Sequence, residues 1–149
     1  MAITQAIANS FKKELLDGAM SFKQTGGDTY KIALYISTAT LTSATSSYIT
    51  AGEVSNTGQY AAGGGALVNL GTSITAGVAR CDFADRSFTG VTLTARGALI
   101  YNTTAGSGSG TTDAVCILNF GADKTATSGT FTIQFPAPTS TAAILRISG

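Results

Sequence analysis

Apolar runs that alternate at period two, cut apart by stretches of Gly, Ser and Thr, constrain this chain more than any other feature. Gly97–Asn102 and Ala114–Phe120 flank a spacer at 103–112 made almost wholly of small and hydroxyl residues, and Thr130–Phe135 follows a turn-rich stretch. Upstream, Thr29–Thr38 sets Tyr30, Ile32, Leu34 and Ile36 against Lys31, Ala33, Tyr35 and Ser37, a strand with one strongly apolar face. Shorter strands are expected at 66–70, 78–83, 91–95 and 98–101, and an apolar run at 142–147 is expected to tie the end of the chain into a sheet. Between them, Arg96-Gly97 permits a bend or bulge, 85–87 reads as a turn, 122–129 as a polar loop, and Pro136 ends the strand before it. About eight strands without interleaved helices predict a mainly β fold. It is an antiparallel β-sandwich or jelly-roll-like domain, or a barrel.

Residues 1–20 depart from that pattern. Ile3, Ile7, Phe11 and Leu15 recur every four residues, with Ala6, Leu16 and Met20 widening the stripe, which predicts an amphipathic helix over 3–20. Thr4 is placed to cap its start and Gly18 to end it, while Lys12, Lys13 and Glu14 take the wet face. So short a helix needs a surface to dock on, either the end of the β-domain or a neighbouring subunit. The chain of 149 residues thus reads as one domain, 1–149, with a helical segment at 1–20 and a β-domain over 28–149.

Composition narrows the function. With 44% hydrophobic residues the chain is no disordered tail, and a net charge of +1 with 11% charged residues leaves no electrostatic footprint for nucleic acid. The 24 Thr, 14 Ser and 18 Gly make a neutral, hydroxyl-rich surface, which favours life in an assembly over a free monomer. No run is long enough to span a membrane, and the opening residues lack the basic and apolar regions of a secretion signal. A cytoplasmic origin is expected, with Cys81 and Cys116 as reduced core thiols.

The chain holds no His and no Trp, which removes the commonest general base, the Ser-His pair and most zinc centres. Asp82 and Asp85 lie close together, but Arg80 and Arg86 beside them read as partners in an ion-paired turn. Neither a calcium loop nor a phosphate loop is present, since the glycine runs at 63–65 and 106–110 are followed by no Gly-Lys-Ser or Gly-Lys-Thr. The expectation is a protein without catalytic residues, metal, cofactor or small-molecule substrate. The long stretch 39–65, poor in large apolar residues, is the expected contact arm or variable surface loop, with Tyr48 and Tyr60 on it.

Several stretches carry a resemblance. Met1-Ala-Ile-Thr-Gln-Ala-Ile-Ala-Asn-Ser-Phe-Lys-Lys-Glu-Leu-Leu-Asp-Gly18, Asp28-Thr-Tyr-Lys-Ile-Ala-Leu-Tyr35 and Thr94-Ala-Arg-Gly-Ala-Leu-Ile-Tyr-Asn102 resemble small virion structural proteins of tailed bacteriophages, as do Leu118-Asn-Phe-Gly-Ala-Asp-Lys-Thr125 and Phe131-Thr-Ile-Gln-Phe-Pro136. The resemblance covers most of the chain and carries no catalytic motif. It implies a virion location, reached by assembly in the host cytoplasm, and a role as a capsid decoration or cement protein. Its partners would be the major capsid protein and further copies of itself, most simply as a trimer. A tail, neck or fibre-associated protein is the alternative within that class. Ile3, Ile7, Phe11, Leu15, Tyr48 and Tyr60 are the expected docking residues. A reading from another class is a carbohydrate-binding module that uses Tyr48, Tyr60 and the 39–65 stretch.

Overall fold

A computed structural model describes residues 2–104 and 112–149. Along the chain run β1 (Ala6–Ile7), α1 (Asn9–Leu16), β2 (Tyr30–Tyr35), β3 (Gly65–Ala66), β4 (Asn69–Thr75), β5 (Val78–Phe83), β6 (Arg86–Asn102), β7 (Ala114–Ile133) and β8 (Leu145–Ile147). Five strands form a sheet in the order β1-β7-β6-β2-β3, three form another in the order β4-β5-β8, and the ladders are antiparallel. No ladder among the described residues joins the sheets, so the fold is sandwich-like and its sheets keep open edges. Among the described residues no helix is long and apolar enough to cross a membrane.

Aromatic rings hold the layers together. Phe22 stacks on Tyr30 of β2 at 4.7 Å, Phe11 of α1 meets Phe22 edge-on at 5.8 Å, and Phe83 of β5 lies 5.6 Å from Tyr30 and 6.2 Å from Phe135. Such rings bury large apolar areas in offset or edge-on geometry, and here they link the helix, both sheets and the C-terminal segment. The alternation of β5 explains its part: Cys81 and Phe83 are buried while Val78, Arg80 and Asp82 are half-buried on the other side.

The N-terminal helix is shorter than the stripe predicts. Residues 3–8 are extended: Thr4 N–H donates to Leu41 O, Ala6 and Ile7 pair with Ile117 and Cys116 of β7, and Ala8 N–H donates to Val115 O. The edge of β7 offers these backbone groups partners at once, whereas two more helical turns would leave that buried edge unpaired. Helix α1 therefore starts after Ala8, with no side-chain cap, and Thr4 has no capping role. Its end matches the expectation. Gly18 takes φ +73, Gly18 N–H bonds to Leu15 O and Ala19 N–H to Glu14 O, the paired bonds of a Schellman motif. Ile3, out of the helix, packs over Gly97, where a Cβ would stand 2.8 Å from its Cγ2.

The 39–65 stretch also departs from expectation. It folds back over β2 and does not project as an arm. Its backbone continues the pairing that β3 leaves off: β3 covers only Lys31 and Ile32, and beyond it Val54 N–H donates to Leu34 O and Ile36 N–H to Gly52 O. Gly64, at φ +82, passes so near β2 that a Cβ there would lie 1.8 Å from Ile32 O. Both faces of β2 are consequently buried from Ile32 to Tyr35, although its alternation predicted one wet face.

The polar loop expected at 122–129 and the break expected between 95 and 98 are absorbed into one long hairpin. β6 runs for 17 residues and β7 for 20, with register shifts at Phe88/Val91, Val91/Leu93, Ala95/Gly97 and Ile100/Tyr101. Bulges let the ladder pass through Gly and Ser, including the bulge expected at Arg96-Gly97. On the wet side Ser87 meets Thr132 and Thr94 meets Thr125 at 2.8 Å, cross-strand hydroxyl pairs that use the chain's excess of Thr. The tip expected at 103–112 lies, from 105 to 111, outside the described residues. The ion-paired turn at 82–86 is absent: Asp85 accepts Phe135 N–H, and the Arg86 guanidinium lies over the Phe88 ring at 4.7 Å.

Candidate functional site

Where α1 lies against the three-stranded sheet, the sandwich stays open. Antiparallel register lines up Thr72, Cys81 and Leu145 in one row, and Ile74, Ala79 and Ile147 in the next. Both rows share the side of the sheet that carries the buried Phe83, so they continue the core outward. Opposite stand Ile7, Phe11, Leu15 and Leu16 from β1 and α1, and between the two walls is an apolar groove of about 370 Å³. The outer residues are bare: Leu16 is 89% exposed, Ile74 72% and Ile147 60%. An apolar strip of this kind marks a contact surface better than scattered exposed residues do.

The charged residues bordering the groove are Lys12, Arg80 and Arg146, although strand alternation turns Arg80 and Arg146 toward the other side of the sheet, where Arg80 meets Ser73. Arg80 and Arg146 face each other across the β5–β8 ladder. Arg80 donates from Nε to Ser73 Oγ, its Nη1 is buried without a partner, and Arg146 donates to Ser140 O. Neither arginine forms an ion pair among the described residues. Two like charges in register cost stability in the isolated chain. Cys81 lines the groove, with its thiol pushed up to about 12 by burial.

A second constellation lies under the 39–65 stretch. Glu53 carries the single charge between Lys31 and Arg80. Its carboxylate accepts from Tyr48 Oη, from Tyr60 Oη at 2.8 Å and from Gly63 N–H at 2.6 Å. Tyr60 Oη also accepts Leu34 N–H at 2.8 Å, so one hydroxyl ties β2 to the loop and to the carboxylate. Tyr101 donates to Gly63 O and stacks with Tyr48 at 5.0 Å, and Tyr35 donates to Ile49 O at 2.7 Å. Burial first, and the Glu53 charge second, push the Tyr101 phenol up to about 12. Burial likewise raises Tyr35, Tyr48 and Tyr60. These phenols stay protonated as donors at neutral pH, and the cluster acts as a clasp.

The structure separates the six expected docking residues. Ile7, Phe11 and Leu15 share the groove wall. Ile3 is buried over Gly97, away from it. Tyr48 and Tyr60 belong to the Glu53 clasp, where Tyr60 is 1% exposed and packs edge-on against Phe88 at 5.1 Å. A sugar-stacking platform needs free ring faces, and Tyr60 offers none. Residue spacing missed Glu53 and the opposite groove wall. The lone charge in a long neutral stretch was a usable sign of the first, and the apolar run at 142–147 of the second.

No family model, no curated protein and no solved structure matches this chain.

Proposed function

We propose that the protein is a non-enzymatic structural component of a tailed-bacteriophage virion, a capsid decoration protein that binds and stiffens the shell of major capsid protein. One observation carries the reading beyond resemblance. The Glu53 carboxylate and the Tyr48 and Tyr60 phenols of the long loop are spent on holding it to β2, while Leu16 and Ile147 at the rim of an apolar groove are left exposed. A rigid β-body with a hydroxyl-rich coat and one sticky end suits a protein that works by being held between others.

The test is the copy number of this protein in purified particles of its source, by quantitative mass spectrometry against the major capsid protein. Copies in the hundreds per particle are expected for a shell decoration. One ring's worth would move the protein to the neck or tail, and absence from particles would overturn the virion role.

A further inference from the structure

We propose that Arg80 and Arg146 form a binding site for a tetrahedral oxyanion of the phosphate class, on the face of the three-stranded sheet turned away from the groove. The site lies on a different face from the docking surface and stands apart from the virion role.

Register builds it. The β5–β8 ladder pairs Arg80 with Arg146 and the β4–β5 ladder pairs Ser73 with Arg80, so the three side chains stand in one row across the sheet. Opposed residues on neighbouring antiparallel strands hold their Cβ atoms about 5 Å apart, which sets the two guanidiniums side by side. Each is tethered by one nitrogen. Arg80 donates from Nε to Ser73 Oγ at 3.0 Å, and Arg146 from Nη1 to Ser140 O at 2.9 Å. Each fork thereby keeps a second edge of donors, Nη1 and Nη2 on Arg80, Nε and Nη2 on Arg146.

Charge says what those edges lack. Neither guanidinium forms an ion pair among the described residues, and Asp82, two residues along β5 on the same face, pairs with neither. Arg80 Nη1 is buried and has no acceptor. A buried cationic N–H without an acceptor is costly, and like charges directly opposite each other destabilise the pair of strands. One anion between the forks removes both costs. The number of donors selects its class. Two donor edges call for more acceptors than the two oxygens of a carboxylate, and a tetrahedral phosphate supplies them in bidentate geometry to each arginine. Arg146 is exposed and Arg80 half-buried, so the anion enters on the Arg146 side and meets Arg80 Nη1 beneath it.

The chain has four arginines, which makes the test local. In the full chain with isotopically labelled arginine, the four 13Cζ resonances are followed by NMR as inorganic phosphate is titrated at constant ionic strength. Saturable shifts are expected at Arg80 and Arg146 only. Arg86, over the Phe88 ring, and Arg96, paired with Asp123, are internal controls. Arg146→Gln, at an exposed position where the fold tolerates change, is expected to weaken the response at Arg80 about tenfold or more. Glycerol phosphate is titrated separately: a response to both ligands means that the phosphoryl group alone is read, a response to inorganic phosphate alone that the site takes the free ion, and either supports the site. Equal shifts at all four arginines, an equal response to acetate, or a response at Arg80 that survives Arg146→Gln would overturn the proposal.

Discussion

Removing a single oxygen atom from Tyr60 tests what holds the 36–64 segment on β2. In Tyr60→Phe the ring stays against Phe88, but Leu34 N–H loses its acceptor and Glu53 loses one of three donors. Leu34 lies beyond the two residues that β3 pairs, and it is fully buried, so no strand or solvent replaces the hydroxyl. An orphaned buried N–H costs about 1–3 kcal/mol, and a donor lost from a carboxylate that keeps two others about 1 kcal/mol. The expected loss is therefore about 2–4 kcal/mol. For a chain of this size that lowers the thermal midpoint by roughly 5–15 °C. Urea unfolding is the direct assay, with the midpoint shifted and the slope unchanged. Tyr48→Phe is the control: it removes one Glu53 contact at a half-buried ring and is expected to cost about 1 kcal/mol or less. If Tyr60→Phe lay within about 0.5 kcal/mol of the parent, or Tyr48→Phe cost as much, the clasp would not be what fixes this segment.

Two further outcomes follow from titratable groups that desolvation shifts. Burial, and then the neighbouring Asp113 carboxyl, raise the Glu14 carboxyl above its ordinary range. Its contribution to stability is therefore fully present below the unfolded carboxyl value and is lost as pH rises through the raised folded one. Glu14→Gln should flatten that decline and gain on the parent toward neutral pH, which denaturant midpoints across the acid range will show; parallel profiles would refute it. Cys81 and Cys116, both raised to about 12 by burial, carry almost no thiolate at pH 8. A chromogenic disulfide reagent should find no fast thiol in the native protein and both after unfolding, and one rapid native thiol would contradict the burial.

Local sequence carried much of the architecture. Alternation found the core of β5, because a strand half-buried on one face writes its burial into period two, while near-continuous apolar runs found β2 and the inner halves of β6 and β7, which are buried on both faces. Gly18 as helix terminator was legible for the same local reason: positive φ is a single-residue property. The candidate site was legible by halves. The i,i+4 stripe identified Ile7, Phe11 and Leu15, which do share a wall, but it also swept in Ile3, whose backbone pairing with the neighbourhood of Leu41 takes it elsewhere. Tyr48 and Tyr60 stood out as aromatics in a polar stretch, yet nothing local says that their hydroxyls meet on Glu53.

What the sequence determined by itself is the class of fold, the antiparallel strands and their apolar faces, and a surface of hydroxyls in place of charge. Those are sums of local terms: β-branched and aromatic residues at alternate positions, Gly at turns, few ionisable groups. Only the tertiary structure decided which backbone edges compete for the same partners. Pairing with β7 turned residues 3–8 from helix into extended chain, and the unpaired donors and acceptors of β2 drew the 39–65 stretch down as a cover. The groove has the same origin. One wall comes from the start of the chain and the other from its middle and end, and they form because β8 pairs with β5 while β1 pairs with β7, contacts between residues too far apart in sequence for any periodicity to record.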